Sequence, residues 1–156
     1  MLIKNISVDP LLPDTLQGHV YFPLFNKDIL VIEFTADHIE YANACVGLLV
    51  DLSDLMISKL CQASIRYCNA CLEAMGEPIR HFENEREVLA LVDPRALIIG
   101  YSNVVPAIHL ELSCEWEKEH GMEWAILQNE VKYVSSFQGI GPFDELDEND
   151  SNFAKP

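Results

Sequence analysis

Alternation of apolar and polar side chains is clearest in the C-terminal half of the chain. From 108 to 116, in "IHLELSCEW", apolar residues occupy the even-numbered positions and polar residues the odd-numbered ones. Successive strand residues point to opposite faces, so this pattern predicts a half-buried β-strand. Further strand-like runs with short connections occupy 96–101, 122–127 and 131–137. Short connections between successive strands indicate an antiparallel meander.

A β-hairpin is predicted near the N-terminus. In 17–34, "QGHVYFPLFNKDILVIEF", two β-rich runs flank the polar triplet 26–28. Pro23 has no N–H to donate, so it would place its strand at a sheet edge or at a bulge.

The segment 37–75 carries the most regular helical pattern. Apolar residues recur at helical spacing along it, and Asp37 with Glu40 could form a capping box at its start. Gly76 and Pro78 would end it. An unbroken helix of this length would run roughly 55–60 Å. We expect it either to kink near Gly47 or to extend beyond the domain and pack on something else, with a homodimer partner as one candidate.

These elements predict an α+β fold with a single domain over 1–142. An N-terminal β-hairpin would be followed by one long amphipathic helix and a C-terminal antiparallel β-meander packed on that helix. A short helix is also expected over 83–92, ending at Asp93-Pro94. Residues 143–156 are polar and acidic, which predicts a flexible tail.

Charge narrows the function classes. The 156-residue chain has 25 acidic and 10 basic residues and a formal net charge of −15. Nucleic-acid binding needs clustered Lys and Arg, so no nucleic-acid partner is expected, whereas a basic protein partner is favoured. There is no signal-peptide pattern and no apolar run of roughly 20 residues, so no membrane is expected either. With five cysteines and no export signal, the default location is the cytoplasm.

The densest chemistry lies in "ELSCEWEKEHGMEW", residues 111–124. A metal site is one interpretation, with His120 and the four glutamates Glu115, Glu117, Glu119 and Glu123 as donors. A second candidate cluster is His109 with Glu111 and Glu115 on the polar strand face. The spacing matches no established zinc motif. A charged hairpin turn and a solvated strand face are therefore favoured over metal binding.

Other motifs have structural interpretations. Cys68 and Cys71 form a CxxC pair near the C-terminal end of the predicted helix, where the helix dipole would raise a thiol pKa. Core packing is favoured for them, as it is for Trp116. The chain has no Walker A or GxGxxG motif, so no cofactor is expected.

The run "LELSCEWEKEHGMEWAI" followed by "NEVKYV" resembles small uncharacterised bacterial domains, the families of unknown function numbered 6985 and 2004. The resemblance is sharpest over 105–137. Some relatives of these families look like immunity proteins, which neutralise a toxin by binding it. The matching motif is Glu119-His120-Gly121, which the resemblance and the glycine together favour as a structural turn. No catalytic residue is carried over.

Three functions are compatible with these patterns. The first is a non-enzymatic, immunity-type inhibitor that binds a basic bacterial toxin through carboxylates, namely Glu111, Glu115, Glu117, Glu119 and Glu123. The alternative is a structural protein that dimerises through the long helix. The third is a metal-dependent enzyme that uses Glu and His residues, with His109 or His120 as the weak metal candidates.

Overall fold

The computed structural model describes residues 1–100 and 105–156. Within these residues the chain forms seven strands and two α-helices. The strands are β1 (Lys4–Val8), β2 (Leu16–Phe22), β3 (Lys27–Phe34), β4 (Val92–Ile98), β5 (Ala107–Cys114), β6 (Glu117–Leu127) and β7 (Glu130–Ser135). The helices are α1 (Ile39–Val50) and α2 (Asp54–Ala74), and 3-10 helices cover Pro23–Phe25, Ala36–His38 and Glu85–Leu91. Tyr101, predicted to end a strand, lies outside the described residues.

One sheet contains all seven strands, in sequence order from β1 to β7. Neighbouring strands are antiparallel except β3 and β4, which are parallel and pair from Leu30↔Ala96 to Ile32↔Ile98. Parallel neighbours need a crossover connection, and both helices lie in that crossover. The predicted α+β class and antiparallel meander are confirmed. The parallel pair joins the N-terminal hairpin to the meander, and strand β1 was not predicted.

The single helix over 37–75 is not confirmed, because the segment forms two helices. Ser53 between them has an extended backbone, and its hydroxyl accepts a hydrogen bond from the Met56 N–H at 3.1 Å. Ser53 is therefore the N-cap of a new helix. The break lies after Val50 rather than at Gly47. Without an overlong helix the argument from an overhang loses its basis, and dimerisation stays a prediction.

The predicted capping box at the start of the helix is wrong. Asp37 lies in the 3-10 helix Ala36–His38, and His38 is the N-cap of α1 without a side-chain cap bond. The C-terminal stop is confirmed, since Gly76 follows α2 with φ +73°. Pro23 lies in the turn between β2 and β3 rather than within a strand.

The helices cover one face of the sheet, and the apolar side of the meander faces them. Trp124 on β6 donates from its indole N–H to the Ser64 hydroxyl on α2 at 3.1 Å. Tyr67 on the same helix donates to the Gly121 carbonyl at 3.0 Å. Both bonds join buried groups and fix α2 over β6. We call the opposite face of the sheet its outer face.

The end of the acidic segment is bound to the domain, in contrast to the expected flexible tail. Asn152 accepts from the Val134 N–H and donates to the Lys132 carbonyl, at 3.1 and 2.8 Å. The Phe153 ring stacks on Tyr67 at 5.5 Å, and its carbonyl accepts two bonds from Arg66. These contacts cover the free edge of β7 and protect it from pairing with another chain.

No helix in the described part of the chain is both long and apolar enough to cross a bilayer.

Gly121 adopts a left-handed backbone, as predicted, but within strand β6 rather than in a turn. Its φ is +71°, and a Cβ at this position would lie 2.5 Å from the Leu112 carbonyl oxygen. The turn before β6 is formed by Glu115 and Trp116 instead. The β5–β6 register shifts between Leu112 and Cys114, so Gly121 belongs to an irregular stretch of the ladder that only glycine fits.

Gly121→Ala should destabilise the fold more than Gly76→Ala. Both positions have positive φ, which costs a non-glycine residue about 1–2 kcal/mol. Only Gly121 also has a backbone oxygen within 4 Å of the new methyl group, which adds about 1–3 kcal/mol of overpacking. Chemical denaturation of both variants measures the difference. Equal losses of unfolding free energy would contradict the close contact at Gly121.

Candidate functional site

A cleft of about 430 Å³ lies at one end of the sheet, where the ends of β3 and β4, the start of β5, Tyr41 of α1 and the segment after β7 meet. Its described lining is mixed in character. The polar side chains are Glu33, Tyr41, His109 and Asp144; the rest of the lining is apolar or glycine, namely Ile98, Ile99, Gly100, Ala107, Phe137, Gly139, Gly141, Pro142 and Phe143.

A buried hydrogen-bonded pair underlies this cleft. His109 Nε2 lies 2.7 Å from Glu123 Oε2, and the Glu123 carboxylate has no exposed surface. The other oxygen, Oε1, accepts the backbone N–H groups of Gln138 and Ile140, both at 3.0 Å. Buried carboxylates are stable only when their oxygens are paired, and here both are. The pair joins β5 and β6 to the segment that forms one wall of the cleft.

Strand register explains why the two residues meet. His109 lies opposite Ala125, and Glu111 lies opposite Glu123. His109 and Glu123 are therefore diagonal neighbours on one face, within reach of long side chains. The side chains of Glu111 and His109 point to the same face of the sheet, as the sequence pattern predicted. What differs is exposure, because His109 and Glu123 are buried and the predicted solvated face is covered here.

The segment that follows β7 provides the cover. Phe137 stacks parallel on the His109 ring, with centroids 6.1 Å apart and an interplanar angle of 8°. The Gly141 N–H donates to Asp144 Oδ2 at 2.7 Å, which holds this carboxylate beside the cleft. The sequence pattern predicted a flexible tail from 143 onward, but its first two residues, Phe143 and Asp144, line the cleft.

His109 presents one nitrogen that its neighbours do not use. A carboxylate accepts hydrogen bonds, so the Nε2 atom carries the proton of the His109–Glu123 bond and the neutral ring has its acceptor at Nδ1. Among the described residues, Nδ1 has no hydrogen-bond partner. The side chain retains 10% of its surface exposed, where it lines the cleft. His109 therefore offers a fixed acceptor to whatever enters.

Glu33 brings a second carboxylate to the cleft through a bulge in β3. Its φ is +61°, unusual for a residue with a side chain. The β2–β3 register shifts between Leu16 and Gly18, opposite the stretch that contains Glu33. Bulges re-aim side chains at functional positions. In the part of the chain that the structure describes, the Glu33 carboxylate has neither a hydrogen bond nor an ion pair.

The five glutamates predicted to bind a partner do not form one surface. Glu123 is buried, so it cannot reach a partner, and this part of the prediction is wrong. Glu115 is exposed and pairs with Arg80 at 3.7 Å. Glu119 is exposed on β6, and Glu111 is half-buried on β5.

Glu117 and His120 form a local hydrogen-bonded unit at the start of β6. Glu117 Oε1 accepts the backbone N–H groups of Glu119 and His120, at 3.0 and 3.2 Å. Its other oxygen lies 3.0 Å from His120 Nδ1. The side-chain hydrogen bond raises the pKa of His120 and lowers that of Glu117. This unit holds the irregular start of the strand, the role predicted for Glu119-His120-Gly121, although the holding carboxylate is Glu117.

Among the described residues, no group of three or more His, Cys, Asp or Glu side chains is arranged to hold a metal ion. His109 is paired with Glu123 and His120 with Glu117, so the two predicted metal candidates belong to separate units.

The cysteines pack in the interior as free thiols. Cys68 lies in the hydrophobic core and Cys71 packs against it. Burial raises the pKa of both thiols, which keeps them protonated and weakly nucleophilic. Burial also raises the pKa of Cys114 to about 12. The core interpretation of the CxxC pair fits these positions.

Sequence reasoning missed Glu33, Phe137 and Asp144 as parts of one site. Glu33 appears as an ordinary strand residue, and only the register shift shows that its backbone is unusual. Phe137 and Asp144 come from a segment whose path depends on Glu123, far away in sequence.

The family model "Domain of unknown function (DUF6985)" matches residues 3–141, and the chain belongs to this family. The resemblance to family 6985 is thus confirmed. Neither the curated proteins nor the solved structures gave a match. The matched span contains Glu33, His109, Glu123 and Phe137, whereas Asp144 lies beyond it.

Replacing the buried carboxylate should destabilise the domain strongly. Glu123→Leu leaves the His109 ring and two backbone N–H groups without an acceptor in the interior. Breaking a buried pair in this way costs about 3–5 kcal/mol. Glu119→Leu on the same strand is the matched control, with an expected change within about 0.5 kcal/mol, because Glu119 is exposed. Urea denaturation measures both, and similar small losses would contradict the role assigned to Glu123.

The Glu117–His120 unit should make the stability of the fold depend on pH in a distinct way. The raised pKa of His120 means that its contribution to stability is present at lower pH and is lost as pH rises through that pKa. The lowered pKa of Glu117 means that its contribution is lost as pH falls through that value. The pair therefore stabilises the strand at pH values between the pKa of Glu117 and the pKa of His120.

NMR titration of the His120 ring measures this coupling. Glu117→Gln should lower the His120 pKa, since the hydrogen-bonded carboxylate is the largest cause of the shift. Glu119→Gln should lower it less, because Glu119 acts only through its charge. An unchanged His120 pKa in Glu117→Gln would rule out the pairing in solution.

Proposed function

We propose that this member of the family is a non-enzymatic binding protein that neutralises a basic bacterial toxin by occupying its surface. The mechanism is steric and electrostatic. An acidic surface attracts a basic partner over a distance and raises the rate of encounter, and the docked complex then blocks access to the partner's active site. We place the centre of the docking surface at the cleft and its carboxylates Glu33 and Asp144.

The observation that carries this proposal is the excess of unpaired carboxylate on the surface. Most of the 25 acidic side chains are exposed. Most of the ten basic side chains are already occupied in ion pairs, such as Lys4 with Asp28 and Arg86 with Asp54. The surface potential is therefore negative, and it favours basic partners over acidic ones.

The proposed docking surface differs from the set of glutamates that the sequence pattern favoured. Glu33 and Asp144 both line the cleft. The chain continues from Asp144 through an exposed acidic stretch, Glu145, Asp147 and Glu148. Of the glutamates predicted from the pattern, Glu111, Glu115 and Glu119 remain available as peripheral contacts. A cytoplasmic location belongs to this proposal too, where the free thiols would stay reduced.

Binding is favoured over catalysis by the make-up of the cleft. A histidine held by a buried carboxylate has the arrangement of a general base. A covalent mechanism of the Ser–His or Cys–His type would also need a hydroxyl or thiol nucleophile beside it. The described cleft lining contains no Ser, Thr, Cys or Lys. What it does contain is acceptors and ring faces, which are groups that bind.

Charge reversal at the cleft should weaken both binding and neutralisation. A basic protein is first captured from host lysate at low salt and purified, and its affinity is measured by calorimetry along with the inhibition of its activity. The double variant Glu33→Lys, Asp144→Lys should bind at least about tenfold more weakly, since like charges facing a basic partner cost several kcal/mol. Inhibition should fall in parallel.

The matched control is the double variant Glu73→Lys, Glu77→Lys. It changes the net charge by the same amount at exposed positions around the end of α2, which do not line the cleft. A comparable loss in the two double variants would mean that only overall charge matters. Full inhibition by the cleft variant would overturn the proposed docking surface.

A further inference from the structure

We propose that the cleft binds the guanidinium group of an arginine side chain that the basic partner presents. This inference rests on the proposed function and specifies its central contact. It depends on the three kinds of group that line the cleft: two carboxylates, one unpaired ring nitrogen and aromatic side chains.

The carboxylates set the charge of the ligand. Glu33 enters from β3 and Asp144 from the segment after β7. Glu33 has no partner among the described residues, and Asp144 accepts one backbone N–H at 2.7 Å. No Lys or Arg occurs in the described lining. A cation is therefore the ligand that satisfies the site, and an anion would be repelled.

His109 requires that the cation also be a hydrogen-bond donor. Its ring is about nine-tenths buried and is fixed by Glu123 on one side and Phe137 on the other. In the neutral ring Nδ1 is an acceptor, and it has no partner among the described residues. A donor that enters the cleft gains a hydrogen bond to this fixed acceptor, whereas a cation without an N–H would leave it unused.

The rings and apolar walls favour guanidinium over ammonium. Guanidinium is planar, weakly hydrated and able to stack on an aromatic ring while it donates from its edge. Phe137 and Tyr41 supply rings in the lining. Ile98, Ile99 and Pro142 supply the apolar surface against which the methylene stem of an arginine can lie. An ammonium group would use the charge but not the planar surfaces.

A side chain rather than a free metabolite is the expected source. The net charge of −15 attracts basic proteins, whose surfaces carry arginine. The side chain reaches into the cleft from outside, so its backbone stays at the surface. The cleft should accordingly accept arginine whose backbone groups are blocked.

The test uses the full-length protein without any partner. N-acetyl-L-arginine N-methylamide is titrated at millimolar concentrations while the His109 and Phe137 ring resonances are followed by NMR. Saturable shifts are expected with this probe and not with the equivalent citrulline derivative, which has the same shape without the charge. The equivalent lysine derivative should bind several-fold more weakly.

Two sets of variants test the assigned contacts. Glu33→Gln with Asp144→Asn should weaken the probe about two- to fivefold for each carboxylate removed. Glu73→Gln with Glu77→Gln, which neutralises two charges that do not line the cleft, should leave the affinity unchanged.

Each contrary result has a defined meaning. Absence of saturable shifts, or equal shifts with citrulline, would overturn the cation site, and equal affinity for lysine would overturn the preference for guanidinium. Binding of free agmatine without binding of the blocked arginine would overturn the assignment to a partner's side chain. Because no partner is present, these failures are distinct from failure to inhibit a basic protein.

Discussion

On the outer face of the sheet, one carboxylate is buried without exposed surface, and the shape of the cleft depends on how it is satisfied. Glu123 receives His109 from the neighbouring strand and two backbone N–H groups from the segment after β7. Leaving such a group unpaired would cost several kcal/mol, so the three donors are held to it. The segment that carries Gln138 and Ile140 is consequently fixed across the sheet.

The fixed segment turns part of a solvated sheet face into one wall of a binding site. It stacks Phe137 on His109 and places Asp144 beside the cleft. The opposite side receives Glu33 through a bulge in β3. These side chains come from three parts of the chain, namely β3, β5 and the segment after β7. His109 and Glu123 on the outer face of the sheet thus support the candidate site, whereas α2 packs on the other face.

Charge acts on this architecture at two ranges. The net charge of −15 belongs to the whole surface and influences which proteins approach. Glu33, Asp144 and the Nδ1 atom of His109 act only at contact, where they distinguish one cation from another. General attraction by an acidic protein is weakly selective, so selectivity has to come from such local groups.

Local patterns in the sequence determined the class of the fold and most of its strands. Period-two alternation in 108–116 follows from the geometry of any half-buried strand, and Gly121 signalled a left-handed backbone because other residues avoid it. The net charge likewise follows from the sequence alone. Two features depended on contacts between residues far apart in the sequence: the burial of Glu123 and the docking of 152–154 on β7. The helix start at Ser53 was missed although its cap is a local contact between the Ser53 hydroxyl and the Met56 N–H. A glutamate in a polar strand position appears exposed in sequence, and only the tertiary structure supplies the histidine and backbone donors that allow it to be buried.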